Sequence, residues 1–262
     1  MPAWCVRWRP LQAVSWLHSR RVRHARLLTC VLLAGAVFVL TAPVAYAAPT
    51  ILLLHGGGWQ SGDGSSMAAW GEDFRAHGYR TVVVDYPLRR VTRSMDYAAG
   101  VARVKAQDGE PVIAYGISAG GTIAAMLAAT GVVDGAVNVT GPTDFTRWYS
   151  PVGTAIMLAA NMSQAEKVSA SPYLRLAGQQ SPQLLQCGII DPVTPYDQCT
   201  RYVAAASRAN TDTQLQKMTN AHGQSVADRA RARNWIEKRW PAAKRSGKRA
   251  ITTTLQRQRL HA

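Results

Sequence analysis

Three residues in this chain have the types and surroundings that acyl-transfer chemistry needs. Ser118 stands in Gly116-Ile117-Ser118-Ala119-Gly120. The short apolar stretch Pro111-Val112-Ile113-Ala114-Tyr115 before it predicts a buried strand. The run from Gly121 to Ala129 after it is rich in helix formers. A serine between strand and helix, with glycines two positions to either side, has the pattern of a nucleophile elbow. Such a turn holds the serine under backbone strain and exposes its hydroxyl. It also leaves the amide of Ala119 free at a helix N-terminus, where it can donate to an oxyanion.

A serine nucleophile needs a base, and the base needs an orienting carboxylate. Asp191 follows an apolar stretch directly, in Gly188-Ile189-Ile190-Asp191-Pro192. His222 follows the expected strand Thr213–Met218, in Asn220-Ala221-His222-Gly223. Both are expected at the carboxyl ends of strands, as Ser118 is. The competitors fit less well. Asp197 falls inside a helix, Asp85 and Asp144 read as turn or capping residues, His77 precedes a glycine at a helix end, and His261 is close to the C-terminus. A further motif, His55-Gly56-Gly57-Gly58-Trp59, ends the first apolar run. Its glycine amides can point at a developing negative charge. His55 is expected to fix that loop by hydrogen bonding rather than to act as the base.

The elements that must position these residues alternate. Strands are expected at Pro49–Leu54, Tyr79–Tyr86, Pro111–Tyr115, Gly135–Val139, Gln183–Ile190 and Thr213–Met218. Helices are expected over 66–77, 95–107, 121–129, 196–209 and 223–239, with Val101 and Val104 on one face of the second. Alternation of this kind implies a parallel sheet covered on both faces, with ligands at the carboxyl ends of its strands. The longer segment 141–182 carries Phe145, Trp148, Tyr149, Ile156, Met157, Leu158 and Met162. It either roofs the site and lines an acyl or alcohol pocket, or simply covers the sheet.

With the chain order Ser, Asp, His, residues 49–240 resemble an α/β-hydrolase esterase. His55–Trp59 resembles the oxyanion loop of hormone-sensitive-lipase-like esterases and of the formamidase and feruloyl-esterase-like group. Gly116–Gly121 resembles their elbow. The resemblance implies an α/β-hydrolase fold with a mostly parallel sheet of about six strands, helices on both faces and no N-terminal cap. It implies Ser118, Asp191 and His222 as the catalytic residues, and the amides of Gly57, Gly58 and Ala119 as the oxyanion hole. Ile117 departs from the Asp or His that often precedes the serine in these relatives. The expected activity is hydrolysis of a small-molecule or lipid-like carboxylic ester, with neither metal nor cofactor. An acyltransferase using the same residues and a non-catalytic module of the same fold are the alternatives.

The net charge of +15 is confined to the two ends. Residues 1–47 hold six arginines and no acid, and residues 238–262 hold eight Lys/Arg and no acid. The body between them has 16 basic and 15 acidic residues, so a nucleic-acid surface is not implied. Arg20, Arg21, Arg23 and Arg26 precede an apolar run from Leu27 to Thr41, and Ala45-Tyr46-Ala47 follows. This is the pattern of a secretory signal peptide cut after Ala47. Ser19-Arg20-Arg21 raises twin-arginine export, and an uncleaved anchor is the alternative. The expectation is an exported domain, periplasmic or extracellular, with no stable membrane span after cleavage. Its remaining cysteines, Cys187 and Cys199, are expected to pair as a disulfide around Asp191. Residues 241–262 read as a basic, disordered tail.

Overall fold

The computed structural model describes residues 48–177 and 180–242. The expected signal segment 1–47 lies outside them, as does all of the expected tail beyond Ala242. Six strands form one sheet: β1 (Thr50–Leu54), β2 (Arg80–Val84), β3 (Val112–Ile117), β4 (Gly135–Val139), β5 (Gln183–Gly188) and β6 (Thr213–Met218). Every pairing is parallel, and the order is β2-β1-β3-β4-β5-β6. The connection from β1 goes outward to β2, and β3 returns to the other side of β1. The strand order therefore reverses between β1 and β3, which opens a crevice at their carboxyl ends.

Residues alternate between two cores, as the period of a strand demands. Leu52, Leu54, Val112 and Ala114 face α2 (Val91–Ala106) and α3 (Ala119–Ala129). Ile51, Leu53, Ile113 and Tyr115 face α1 (Ala68–Ala76) and α7 (Val226–Arg239). Every residue of α3 is buried, and its alanines let it lie close against the sheet. Two short helices, α4 (Pro151–Ala159) and α5 (Gln164–Ser169), occupy the long connection before β5, and α6 (Asp197–Arg208) precedes β6.

Two expectations are corrected. α2 begins at Val91, and its buried stripe is Val91, Met95, Ala98 and Ala102. Val104 is 57% exposed. The small alanines, not the β-branched valines, give the close approach to α3. β5 ends at Gly188 rather than Ile190, because its partner β6 ends there in register at Met218. Ile189 and Ile190 lie exposed beyond it.

Cys187, near the end of β5, and Cys199, in the first turn of α6, are at disulfide distance, and both are buried. The bond spans 12 residues and closes over Asp191. In the chain-entropy account such a loop stabilises by about 2–3 kcal/mol. The Cys187→Ala/Cys199→Ala protein is expected to lose that amount in a urea titration of the oxidised domain. An unchanged midpoint would show that the bond does not tie the native loop.

Candidate active site

β3 runs straight into α3 with only Ser118 between them. The turn is this sharp because two side chains are missing. A Cβ on Gly116 would overlap the carbonyl of Gly120, and one on Gly120 would overlap the carbonyls of Leu54 and His55. Ser118 itself has φ 53° and ψ −118°, a strained conformation for a residue with a side chain. It is over-determined by its neighbours. Its amide donates to Val139 O at 2.7 Å, and its carbonyl accepts from Thr122 N at 3.1 Å.

Asp191 follows β5 in a tight turn. Its Oδ1 accepts from the amides of Val193 (2.8 Å) and Thr194 (2.9 Å). Its Oδ2 lies 2.8 Å from His222 Nδ1. The carboxylate is fully buried, whereas the His222 side chain is 26% exposed. Because Oδ2 is an acceptor, the proton of the neutral imidazole sits on Nδ1. That leaves the lone pair of Nε2 facing Ser118 Oγ at 3.0 Å. The chain Asp191–His222–Ser118 thus joins the ends of β5, β6 and β3. An imidazole held in this way can take a proton from the serine as its oxygen attacks.

The loop after β1 lies beside the serine. A Cβ built on Gly56 would stand 3.5 Å from Ser118 Cβ. Gly57 and Gly58 have φ of 114° and 59°. The Gly57 carbonyl accepts from Gln60 N (3.0 Å) and Ser61 N (3.1 Å), which closes a tight turn. Among the described residues, the amides of Gly57 and Gly58 are paired with no acceptor, and neither is the Ala119 amide that opens α3. His55 is buried. Its Nδ1 lies 2.7 Å from Gly56 O, and its ring stacks on Tyr86 at 4.1 Å. Tyr86 in turn donates its hydroxyl to His55 O at 2.6 Å. His55 therefore anchors the loop, with its Nε2 3.7 Å from Asp85 Oδ1.

The other acidic and imidazole side chains have local partners. Asp85 accepts from Gly64 N at 2.6 Å. Asp144 caps a 3₁₀ turn through Thr146 N (3.0 Å) and pairs with Arg201 at 2.9 Å. Asp197 pairs with Arg201 at 3.1 Å, and His77 lies at the end of α1 against Asp73 O. No three His, Cys, Asp or Glu side chains gather as a metal ion requires among the described residues.

The long connection before β5 is part core and part surface. Phe145, Trp148 and Met162 are buried beneath it, while Tyr149 and Leu158 are exposed. Trp148 Nε1 (2.7 Å) and Ser150 Oγ (2.8 Å) both donate to Val193 O, in the turn that holds Asp191. Farther along α4, Ile156 lies 3.2 Å from where a Cβ on Gly58 would be. α4 therefore braces the acid turn at one end and the glycine loop at the other. The sequence carries no periodic signal for these contacts, nor for Gln224, whose side chain links the histidine loop to β3 and β5.

A parallel six-stranded sheet with helices on both faces and a serine elbow at its strand-order reversal defines an α/β-hydrolase. Within that class, the chain belongs to the prolyl oligopeptidase family, a family of serine hydrolases whose sequence profile matches residues 68–243. That match begins after the His55–Trp59 motif. No curated protein sequence matches the chain. Among solved structures, it is similar to esterase 2 of Thermogutta terrifontis phosphonylated by sarin, with a TM-score of 0.68 and 18% identity over 76% of this chain and 87% of that one. It is also similar to the same thermophilic esterase with propionate bound (TM-score 0.65, 18% identity, 76% and 86% covered). With butyrate bound the figures are 0.64 and 19%, with 76% and 86% covered.

Proposed function

We propose that this chain is an exported serine esterase acting through an acyl-enzyme on Ser118. The observation that carries the reading is the unbroken hydrogen-bonded line from buried Asp191 through His222 to a strained, half-buried Ser118. Ser118 Oγ attacks the ester carbonyl carbon while His222 Nε2 takes its proton, and Asp191 steadies the imidazolium. The amides of Ala119 and of Gly57 or Gly58 hold the oxyanion. Collapse of the tetrahedral adduct expels the alcohol, which leaves with the proton from His222. Water then gives a proton to His222 and attacks the acyl-enzyme, and the carboxylic acid departs as Ser118 regains its proton. The similar esterase accommodates propionate and butyrate, which supports short carboxylic esters as the first substrates to try. The arginine-rich, apolar start of the sequence and its Ala45-Tyr46-Ala47 site support export, with residues 48–262 as the mature protein. Among the described residues, no helix is long and apolar enough to cross a membrane.

The family match supports a second reading, cleavage of peptide bonds. A p-nitrophenyl ester series from acetate to palmitate, run beside a chromogenic prolyl peptide, separates the two. Ester turnover by residues 48–262 is expected, and Ser118→Ala is expected to lower kcat about 10⁶-fold. Turnover of the peptide alone would replace the esterase reading with the peptidase one. Equal turnover by wild type and variant would remove Ser118 from the mechanism.

A further inference from the structure

The loop that carries His222 rests its backbone on the end of β5, where the carbonyls of Asn220 and Ala221 leave no room for a Cβ on Gly188. Residues 219–225 join β6 to α7, and Ala221 and His222 are exposed. Two residues beyond His222, however, the side chain of Gln224 turns inward. Trp70 Nε1 donates to its Oε1 at 2.8 Å. An indole N–H can only donate, so this contact fixes which end of the amide is oxygen. The amide nitrogen then donates to Tyr115 Oη at 2.5 Å and to Gln186 Oε1. Gln186 completes the network by donating to Gln216 Oε1 (2.9 Å) and to Asp228 O (2.7 Å). Both hydrogens and the oxygen of Gln224 are used, at the edge of the apolar layer to which Tyr115 belongs.

The elements joined are telling. Tyr115 lies on β3, three residues before Ser118. Gln186 lies on β5, five residues before Asp191. One side chain thus ties the chain next to the histidine to both strands that present its hydrogen-bonding partners. Resting on the reading of Ser118, Asp191 and His222 as a catalytic set, we infer that Gln224 is a positioning residue. It holds the His222 loop so that Nε2 stays aligned with the serine oxygen.

The test uses two readouts on residues 48–262: kcat and KM on a p-nitrophenyl ester, and the rate at which a fluorophosphonate labels Ser118. Labelling needs the activated serine but not the natural substrate, so it stays informative whatever the ester profile is. Gln224→Met keeps the length and loses every hydrogen bond. It is expected to slow labelling and lower kcat about 10–100-fold, the scale of a small misplacement of a reacting group, with KM within about twofold. Trp70→Phe removes only the donor to Oε1 and is expected to slow labelling by a smaller factor, about three- to tenfold on the same scale. Gln216→Met damages the same network away from the histidine loop. It is expected to lower Tm as Gln224→Met does, yet to label at the wild-type rate. If Gln224→Met and Trp70→Phe both lower Tm but label as fast as wild type, Gln224 is merely structural and the inference fails. It also fails if Gln216→Met slows labelling as much as Gln224→Met. Labelling that tracks Gln224 in a protein without ester turnover would uphold the inference while overturning the esterase reading.

Discussion

Asp191→Asn is expected to lower kcat about 10⁴-fold, and His222→Ala about 10⁶-fold. The reason for the first lies in how the carboxylate is held. Oδ1 already accepts from the amides of Val193 and Thr194. An asparagine would place its carbonyl oxygen there, since its NH₂ group cannot face two donors. The NH₂ would then face His222 Nδ1, which would have to accept. The imidazole proton would move to Nε2, 3.0 Å from Ser118 Oγ, where a lone pair is needed to take the serine proton. The loss would thus come from the wrong tautomer in an intact fold. Two checks follow on kcat for the best ester of the series. The double variant should be no slower than His222→Ala alone, because residues acting as a unit are not additive. An Asp191→Asn enzyme within tenfold of wild type would assign the orienting role elsewhere.

Gly120→Ala is expected to destabilise the domain by more than about 3 kcal/mol, a large fraction of the stability of a typical domain. The added methyl would collide with the carbonyls of Leu54 and His55. Those are backbone atoms at the end of a fully buried strand, so no side chain can swing aside. Gly100→Ala makes the opposite case with the same chemical change. Gly100 lies inside α2 with nothing near its missing Cβ. Alanine there should stabilise by about 0.5–1 kcal/mol through helix propensity alone. Urea titrations of both variants test the pair. A Gly120→Ala midpoint close to wild type would mean that α3 can retreat from β1, and the close packing assigned to the elbow would be wrong.

The sequence by itself determined the order and type of the elements, because their signals are local. β4 and β6 fall at Gly135–Val139 and Thr213–Met218, where the sequence placed them. The elbow was legible for the same reason: its glycines, serine and flanking strand and helix lie within a few consecutive residues. The line from Ser118 to Asp191 and His222 was legible only as a chain order and a position after strands. The distances of 2.8 and 3.0 Å come from the packing of β3, β5 and β6 side by side. Local pattern misled where packing prefers small residues. Val101 and Val104 were expected on one face of α2, but only Val101 packs against the core, and the alanines form the buried stripe because they allow the helices to approach. Tertiary structure alone decided the supports of the site. α4 braces both the acid turn and the glycine loop, and Gln224 reaches Tyr115 across 109 positions of chain. Such contacts leave no period in the sequence, because a single buried amide or one bracing isoleucine is specified by what surrounds it in space.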